Sequence, residues 1–340
     1  MGVLRYGIPF VALATVPLGF GLGGAWCWLT VLATPVGLLV FDWLLGEDRL
    51  TPPGPDSWSY RLLPWLYIPL QIGVIAWAAL AVSRPGVGLM DAVGLTASVG
   101  VAAGVFGMLA AHEMVHSPRP AERALGLLML GTVGYMHFRI AHIHGHHRHA
   151  ATRDDPASAR AGESAYAFVV RSVAGQWLEA WVFERRRLAG RGLQPLSASN
   201  RMLHYLLVEG LVVAGVVALG PRALAFWLAQ AVLSVVLLEV FNYVAHYGLS
   251  RRRLASGALE RIGERHSWNA SRRMNNWSLF NMGRHTDHHR SGTRPYQRLE
   301  SAPGSPELPC GYAAAVLLAM APPLWRRVMD PRVASWMAVD

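Results

Sequence analysis

Residues Ala223–His246 read A-L-A-F-W-L-A-Q-A-V-L-S-V-V-L-L-E-V-F-N-Y-V-A-H. The run is long enough to cross a bilayer, carries Glu239 as its one charged side chain, and ends on a histidine. A charge at mid-helix costs roughly 2.5–3.5 kcal/mol on insertion scales, so Glu239, two turns before His246, is expected to have a function. Working outward, Tyr205–Leu219 is a second such run, joined to the first by Gly220-Pro221-Arg222. Between Arg5 and Asp42 no residue is charged, and Gly19–Gly24 breaks the stretch into a helical hairpin. Leu62–Ser83 is a further span with Trp65, Tyr67 and Trp77 at interfacial depths. Ala92–Ala111 is another, with Gly100, Gly104 and Gly107 along one side. Close helix packing is the favoured reading of those glycines, and the wall of a substrate channel is the sharper one. The expected fold is therefore all-α, a polytopic bundle of about six spans, with residues 1–340 forming one domain.

Composition agrees. The chain is 53% hydrophobic and 15% charged, where soluble domains carry roughly 25% charged residues. The Pro-rich stretch Gly46–Ser59, with Pro52-Pro53-Gly54-Pro55, is a loop. Ala121–Arg139 is apolar but short, and reads as re-entrant or interfacial. Thr152–Arg201 is polar and Arg-rich, with an aromatic interlude at Phe168–Trp181. Gly311–Trp325 is too short to span, is broken by Pro322-Pro323, and is expected to lie on the surface. No cleavable signal peptide is read at the N-terminus. All 31 basic residues are arginines, and with six spans only Arg84 and Arg222 fall in outer loops. The positive-inside rule then puts both termini and the histidine-bearing helix ends in the cytoplasm, as in a bacterial inner membrane protein. The net charge of +10 suits anionic lipid or an acidic partner, and nothing resembles a nucleic-acid-binding module. Two cysteines, Cys27 and Cys310, make neither a disulfide framework nor a thiolate metal site.

The histidines are clustered. His112 and His116 close the Ala92–Ala111 span; Ala141–His147 reads A-H-I-H-G-H-H; His285, His288 and His289 lie downstream; and His246 stands alone. On a helix, residues three and four apart share a face, so each cluster can aim two or three rings at one point. Nine imidazoles exceed the ligands of one structural ion, so two metals are expected. Imidazole suits iron, zinc and copper alike, and does not choose among them. His144 alternates with His142 and His146 and is expected to point away, while His137, His204 and His266 are read as structural and His149, beside Arg148, as part of a surface turn. Glu113, Asp154, Asp155, Glu239 and Asp287 are the candidate acceptors for outer ring N–H groups.

These stretches, with Asp155–Arg160, Gly162–Ser164, Asn242–Leu249, His266–Asn269 and Pro322–Asp330, resemble the integral-membrane alkane 1-monooxygenases, relatives of xylene monooxygenase and of the membrane fatty acid desaturases. The resemblance covers the chain from about His112 onward; the first hundred residues match in hydropathy alone. It implies a non-haem di-iron centre that uses dioxygen to hydroxylate a terminal C–H bond of an apolar substrate. The matching ligands are His112, His116, His142, His146, His147, His246, His285, His288 and His289. The chain has no rubredoxin-type cysteine pairs and no dinucleotide fingerprint. A rubredoxin or ferredoxin with its NAD(P)H reductase is therefore the implied electron source. The arginine-rich surface of Arg251–Arg253, Arg272-Arg273 and Arg284–Arg298 is its expected docking face.

The chain departs from the family pattern where Ala141 and Ala245 stand in place of glutamates, Ser117 in place of a lysine, and Met282-Gly283 and Thr286 in place of Leu-Gln and Ser. Substrate range is the property these changes touch. A methyl-aromatic hydroxylase and a desaturase-like oxidase remain alternatives within the class. A His-rich metal transporter is the remote one, since its ligands belong at mid-bilayer rather than at one face.

Overall fold

The computed structural model describes residues 2–49 and 54–338. Pro52 and Pro53 of the Pro-rich loop lie outside the described residues. Six helices are long and apolar enough to cross a membrane: α1 (Val3–Leu22), α2 (Gly24–Leu45), α3 (Trp58–Val82), α4 (Leu89–His116), α8 (Arg201–Ala218) and α9 (Pro221–His246). Between and after them lie α5 (Pro120–Gly131), α6 (138–149), α7 (Ala165–Ala189), α10 (Arg273–Ser278), α11 (His285–Arg290), α12 (Tyr312–Ala319) and α13 (Pro322–Met337). Isolated bridges but no named strands occur among the described residues, so the chain is an all-helical integral membrane protein.

The α1–α2 hairpin turns at Gly23, whose φ of +72° is open to glycine at little cost. Asp91 at the start of α4 accepts a hydrogen bond from Gly24 N (3.0 Å) and fixes that corner. The lipid-facing sides carry exposed Leu, Val and Trp, whereas α4 and α9 form the buried centre.

The glycine face of α4 is a packing surface, and Gly104 on it also lines an apolar cavity. A Cβ on Gly100 would meet Leu233 Cδ2 at 2.8 Å, and one on Gly104 would meet Ser234 Cα at 2.9 Å. One on Gly107 would meet Met129 Cε at 2.7 Å. Small residues here let α9 and α5 approach α4 closely.

Two other expectations change. Tyr67 is not on the lipid- or water-facing surface; it is fully buried, and its hydroxyl bonds Gln71 (2.9 Å) and the Ala102 carbonyl (3.3 Å). Gly311–Trp325 lies only partly on the surface: Leu317, Met320 and Leu324 are exposed, but its other face is buried. Tyr312 stacks on Phe241 of α9 at 4.2 Å and donates its hydroxyl to the Trp268 carbonyl (2.6 Å), and Trp325 is fully buried against Tyr243 and Tyr247. Aromatic anchors override shortness here, because each ring buries a large area and the Tyr312 hydroxyl finds an acceptor. Asp48, after α2, pairs with Arg284 in front of α11 (3.4 Å), tying the N-terminal hairpin to the last histidine cluster.

Candidate metal centre

The histidines arrive from four helices. α4 ends in His112 and His116 one turn apart, and α9 ends in His246. α11 carries His285, His288 and His289 on a single short helix. α6 is α-helical at both ends but opens into a π-turn over Ala141–His146. Wider turns of this kind cluster at functional sites. Here the π-turn lets successive rings diverge: His142 and His147 join one group while His146 joins another. His144 is turned away toward Phe183.

The result is two sets of converging nitrogens: His112, His116, His142, His147 and His288 in one, and His146, His246, His285 and His289 in the other. Within each set the candidate ligand atoms all lie within 4.8 Å of one another. In the second set, His289 Nε2 is 3.1 Å from both His246 Nε2 and His285 Nε2, which are 3.2 Å apart. His112 Nε2 and His147 Nε2 lie 2.8 and 3.1 Å from His142 Nε2 in the first.

Proton bookkeeping shows what this spacing means. His246 Nδ1 sits 2.9 Å from the His266 carbonyl, which only accepts, so the ring proton is on Nδ1 and Nε2 presents a bare lone pair. His146 Nδ1 is likewise engaged by the Asp155 carboxylate at 2.8 Å, leaving a buried, unpartnered Nε2. Burial first, and then the neighbouring imidazoles, push His142, His147, His285, His288 and His289 well below the ordinary histidine range, so these rings are neutral. Converging lone pairs repel unless a cation lies among them. Nitrogens bound about 2.1 Å from one octahedral ion are spaced about 3 Å apart, so the residues fit a metal in each set.

The comparisons with known proteins agree. The fatty acid desaturase family profile matches residues 89–303. Alkane 1-monooxygenase 2 of Pseudomonas aeruginosa is 36% identical over 98% of this chain and 92% of its own length, and alkane 1-monooxygenase 1 of the same species is 39% identical over 92% and 84%. This chain belongs to the alkane 1-monooxygenase family. The xylene/toluene monooxygenase hydroxylase component XylM of Pseudomonas putida is more distant, 27% identical over 99% of this chain and 90% of its own length.

Of the five candidate acceptors, Asp155 is the one in hydrogen-bond contact with a clustered histidine. It is buried, and accepts from Ser158 Oγ (2.6 Å) and Ala157 N (3.0 Å) as well as engaging His146. Burial raises its pKa, but the His146 ring and these hydrogen bonds outweigh burial and hold the carboxyl below its ordinary value. Glu113 accepts from Tyr296 N (3.1 Å), and Asp287 from Arg294 (2.7 Å) and Glu300 N (3.0 Å), so both brace the loop after α11. Asp154 is exposed. Glu239 faces Tyr135, Ser172, Gln176 and Asn242.

Three further partners escaped the sequence: the His266 carbonyl, Met282 Sδ at 3.4 Å from His285 Nδ1, and Glu179 of α7. Glu179 lies against Gly145, where a Cβ would come 2.3 Å from its Oε2, and 3.6 Å from His149. Its carboxyl is pushed up to about 8 by burial and by Asp155. Carbonyls leave no side-chain signal, and Glu179 sits in a helix that reads as an ordinary charged face.

Replacing Asp155 with Asn is expected to weaken metal retention and turnover about 10–100-fold, the range for losing an outer-sphere partner. Metal content after graded chelation checks this; unchanged retention would mean that Asp155 serves the loop alone.

Proposed function

We propose that the chain is a non-haem di-iron monooxygenase that hydroxylates the terminal C–H bond of an n-alkane or similar alkyl chain, with its histidine end in the cytoplasm. The observation that carries this reading is the pair of converging nitrogen sets, one of five histidines and one of four, within a family whose named members are alkane 1-monooxygenases. Iron held there would activate dioxygen, one oxygen atom entering the C–H bond and the other leaving as water.

The chain's own residues supply the rest. Val31, Pro35 and Leu38 of α2, Val101, Gly104, Val105 and Leu109 of α4, and Phe241 of α9 line a partly open apolar cavity of about 240 Å³, flanked by Tyr312 and Val316. Phe241 at its inner end lies 5.9 Å, ring to ring, from His285. An alkyl chain bound in this cavity is held by burial alone and directed at the four-histidine set, with water kept out. On α4 the wall is Val101, Gly104, Val105 and Leu109, so Gly104 lines the cavity as well as packing on α9, whereas Gly100 and Gly107 lie outside that lining.

Electrons come from outside, from a rubredoxin or ferredoxin served by an NAD(P)H reductase. The docking face needs correcting in part. Arg284 is buried on Asp48, Arg273 donates to the Leu45 and Glu47 carbonyls (both 3.0 Å), and Arg294 holds Asp287. Arg153, Arg160 and Arg253 are instead exposed around an open groove of about 910 Å³. Ser158 lines that groove and bonds Asp155, which bonds His146, giving a three-residue path to the metal set. Reversing charge at Arg153, Arg160 and Arg253 should raise the donor concentration for half-maximal rate several-fold and flatten its salt dependence, with the alkane KM unchanged. Insensitivity to both would move the docking face elsewhere.

The deciding experiment is metal analysis of the purified protein, with product analysis from membranes given octane, p-xylene and a fatty acid. Two irons per chain and 1-octanol are expected. One metal per chain, or oxidation of p-xylene in preference to octane, would overturn the reading.

A further inference from the structure

A buried carboxylate, a buried phenol and a line of aromatic rings remain unused by this mechanism. Glu239 is fully buried, with Tyr135 OH (2.9 Å) and Gln176 Nε2 (3.0 Å) on Oε1, and Ser172 Oγ (2.6 Å) on Oε2. No cation pairs with it among the printed contacts of the described residues; its neighbours are neutral donors, the surroundings of an acceptor. Tyr135 connects to the metal set through stacked rings: Phe138 lies 5.9 Å from Tyr135 at 24°, and His142 lies 4.7 Å from Phe138 at 18°. On its other side His137 is 4.5 Å from Tyr135 and 5.0 Å from Trp177, and Trp177 is 6.3 Å from Trp181. Both His137 ring nitrogens are buried without a partner, and burial holds the ring neutral, its pKa near 4. A histidine with no hydrogen bond at either nitrogen is costly as a structural group, and its remaining role here is contact between two oxidisable rings.

We propose that Tyr135, with Glu239 as its proton acceptor and Trp177 and Trp181 as relays, drains oxidising equivalents from the metal site when dioxygen has been reduced but no alkane is bound. The inference rests on the oxygenase reading above. In the step, Tyr135 would give one electron, by way of Phe138 and His142, to metal held by the histidine set, while its O–H bond breaks and the proton moves to Glu239. The neutral tyrosyl radical then takes an electron from Trp177 and its proton back from Glu239. Trp181, half-buried on α7, refills Trp177 and is itself reduced by a thiol- or ascorbate-class reductant in solution. The oxidising equivalent thus leaves through rings that can be restored, instead of attacking the ligand imidazoles.

The test is freeze-quench electron paramagnetic resonance on the iron-loaded enzyme mixed with hydrogen peroxide without alkane, using ring-deuterated tyrosine to assign the signal. A tyrosyl radical is expected in the parent protein, lost in Tyr135→Phe and several-fold weaker in Glu239→Gln, whose amide still accepts the hydrogen bond but takes the proton poorly. Trp177→Phe should prolong the signal several-fold. Peptide mapping should then find added oxygen on ligand histidines in Tyr135→Phe and on Trp181 in the parent. Tyr135→Phe should keep its iron and its hydroxylation rate at saturating alkane. Absence of a tyrosyl signal in a protein that hydroxylates octane overturns this inference and leaves the oxygenase reading standing. Absence of both iron and product overturns the two together.

Discussion

Replacing His289 with alanine should abolish hydroxylation while the protein still inserts in the membrane. Its Nε2 lies 3.1 Å from both His246 and His285, and its ring also faces His147 and His146 at 4.7 and 4.8 Å, so it borders both nitrogen sets. The four-histidine set would fall to three rings, with no fifth imidazole to replace the loss. The drop should exceed the roughly hundredfold upper range for an outer partner. Iron should fall from about two to about one per chain, since the five-histidine set is left whole. His146→Ala should behave alike, and His204→Ala, whose ring bonds the Ala198 carbonyl, should change neither quantity. Elemental analysis and product formation on the same membranes check this. Full activity in either ligand variant would end the di-iron reading.

The spans and the clusters were legible for one reason: both are local. A charge-free run of bilayer length has few alternatives in water or lipid, and α9 from Pro221 to His246 starts two residues before its apolar run and ends with it. The four-residue spacing of His112 and His116 needs only a regular helix to bring them together. The assignment of His142, His146 and His147 was not legible. A regular helix would keep His142 and His146 on one face, and the π-turn that parts them has no periodicity to announce it. Which carboxylate meets a ligand depends on where the loop after α6 folds back, so Asp154 and Asp155 look equal in sequence, yet one is exposed and the other buried on His146. The arginines misled because charge predicts exposure only on average. Arg284 is drawn inside by Asp48, a partner far away in the chain. The same applies to α12, whose burial depends on Tyr312 meeting Phe241.

Cavity geometry gives the last large effect. Val105 lines the apolar cavity and is half-buried, and it lies one residue beyond Gly104, whose own Cβ position is taken by Leu237 and Ser234. Bulk added at Gly100, whose Cβ would meet Leu233 and which is outside that lining, would push α9 off α4 and lower all substrates together, which separates packing from specificity. Val105→Phe adds its ring to the cavity instead. Each buried methylene contributes about 0.8 kcal/mol, or roughly fourfold in kcat/KM, so the parent enzyme's kcat/KM should climb with chain length until the cavity is full. In Val105→Phe the climb should stop several carbons earlier. The longest alkanes would then lose on the order of a hundredfold, the sum of three or four excluded methylenes, while the shortest change little. A kcat/KM series from pentane to dodecane measures this directly. A uniform fall across the series, or none, would place the alkyl chain outside the space between α2, α4 and α9.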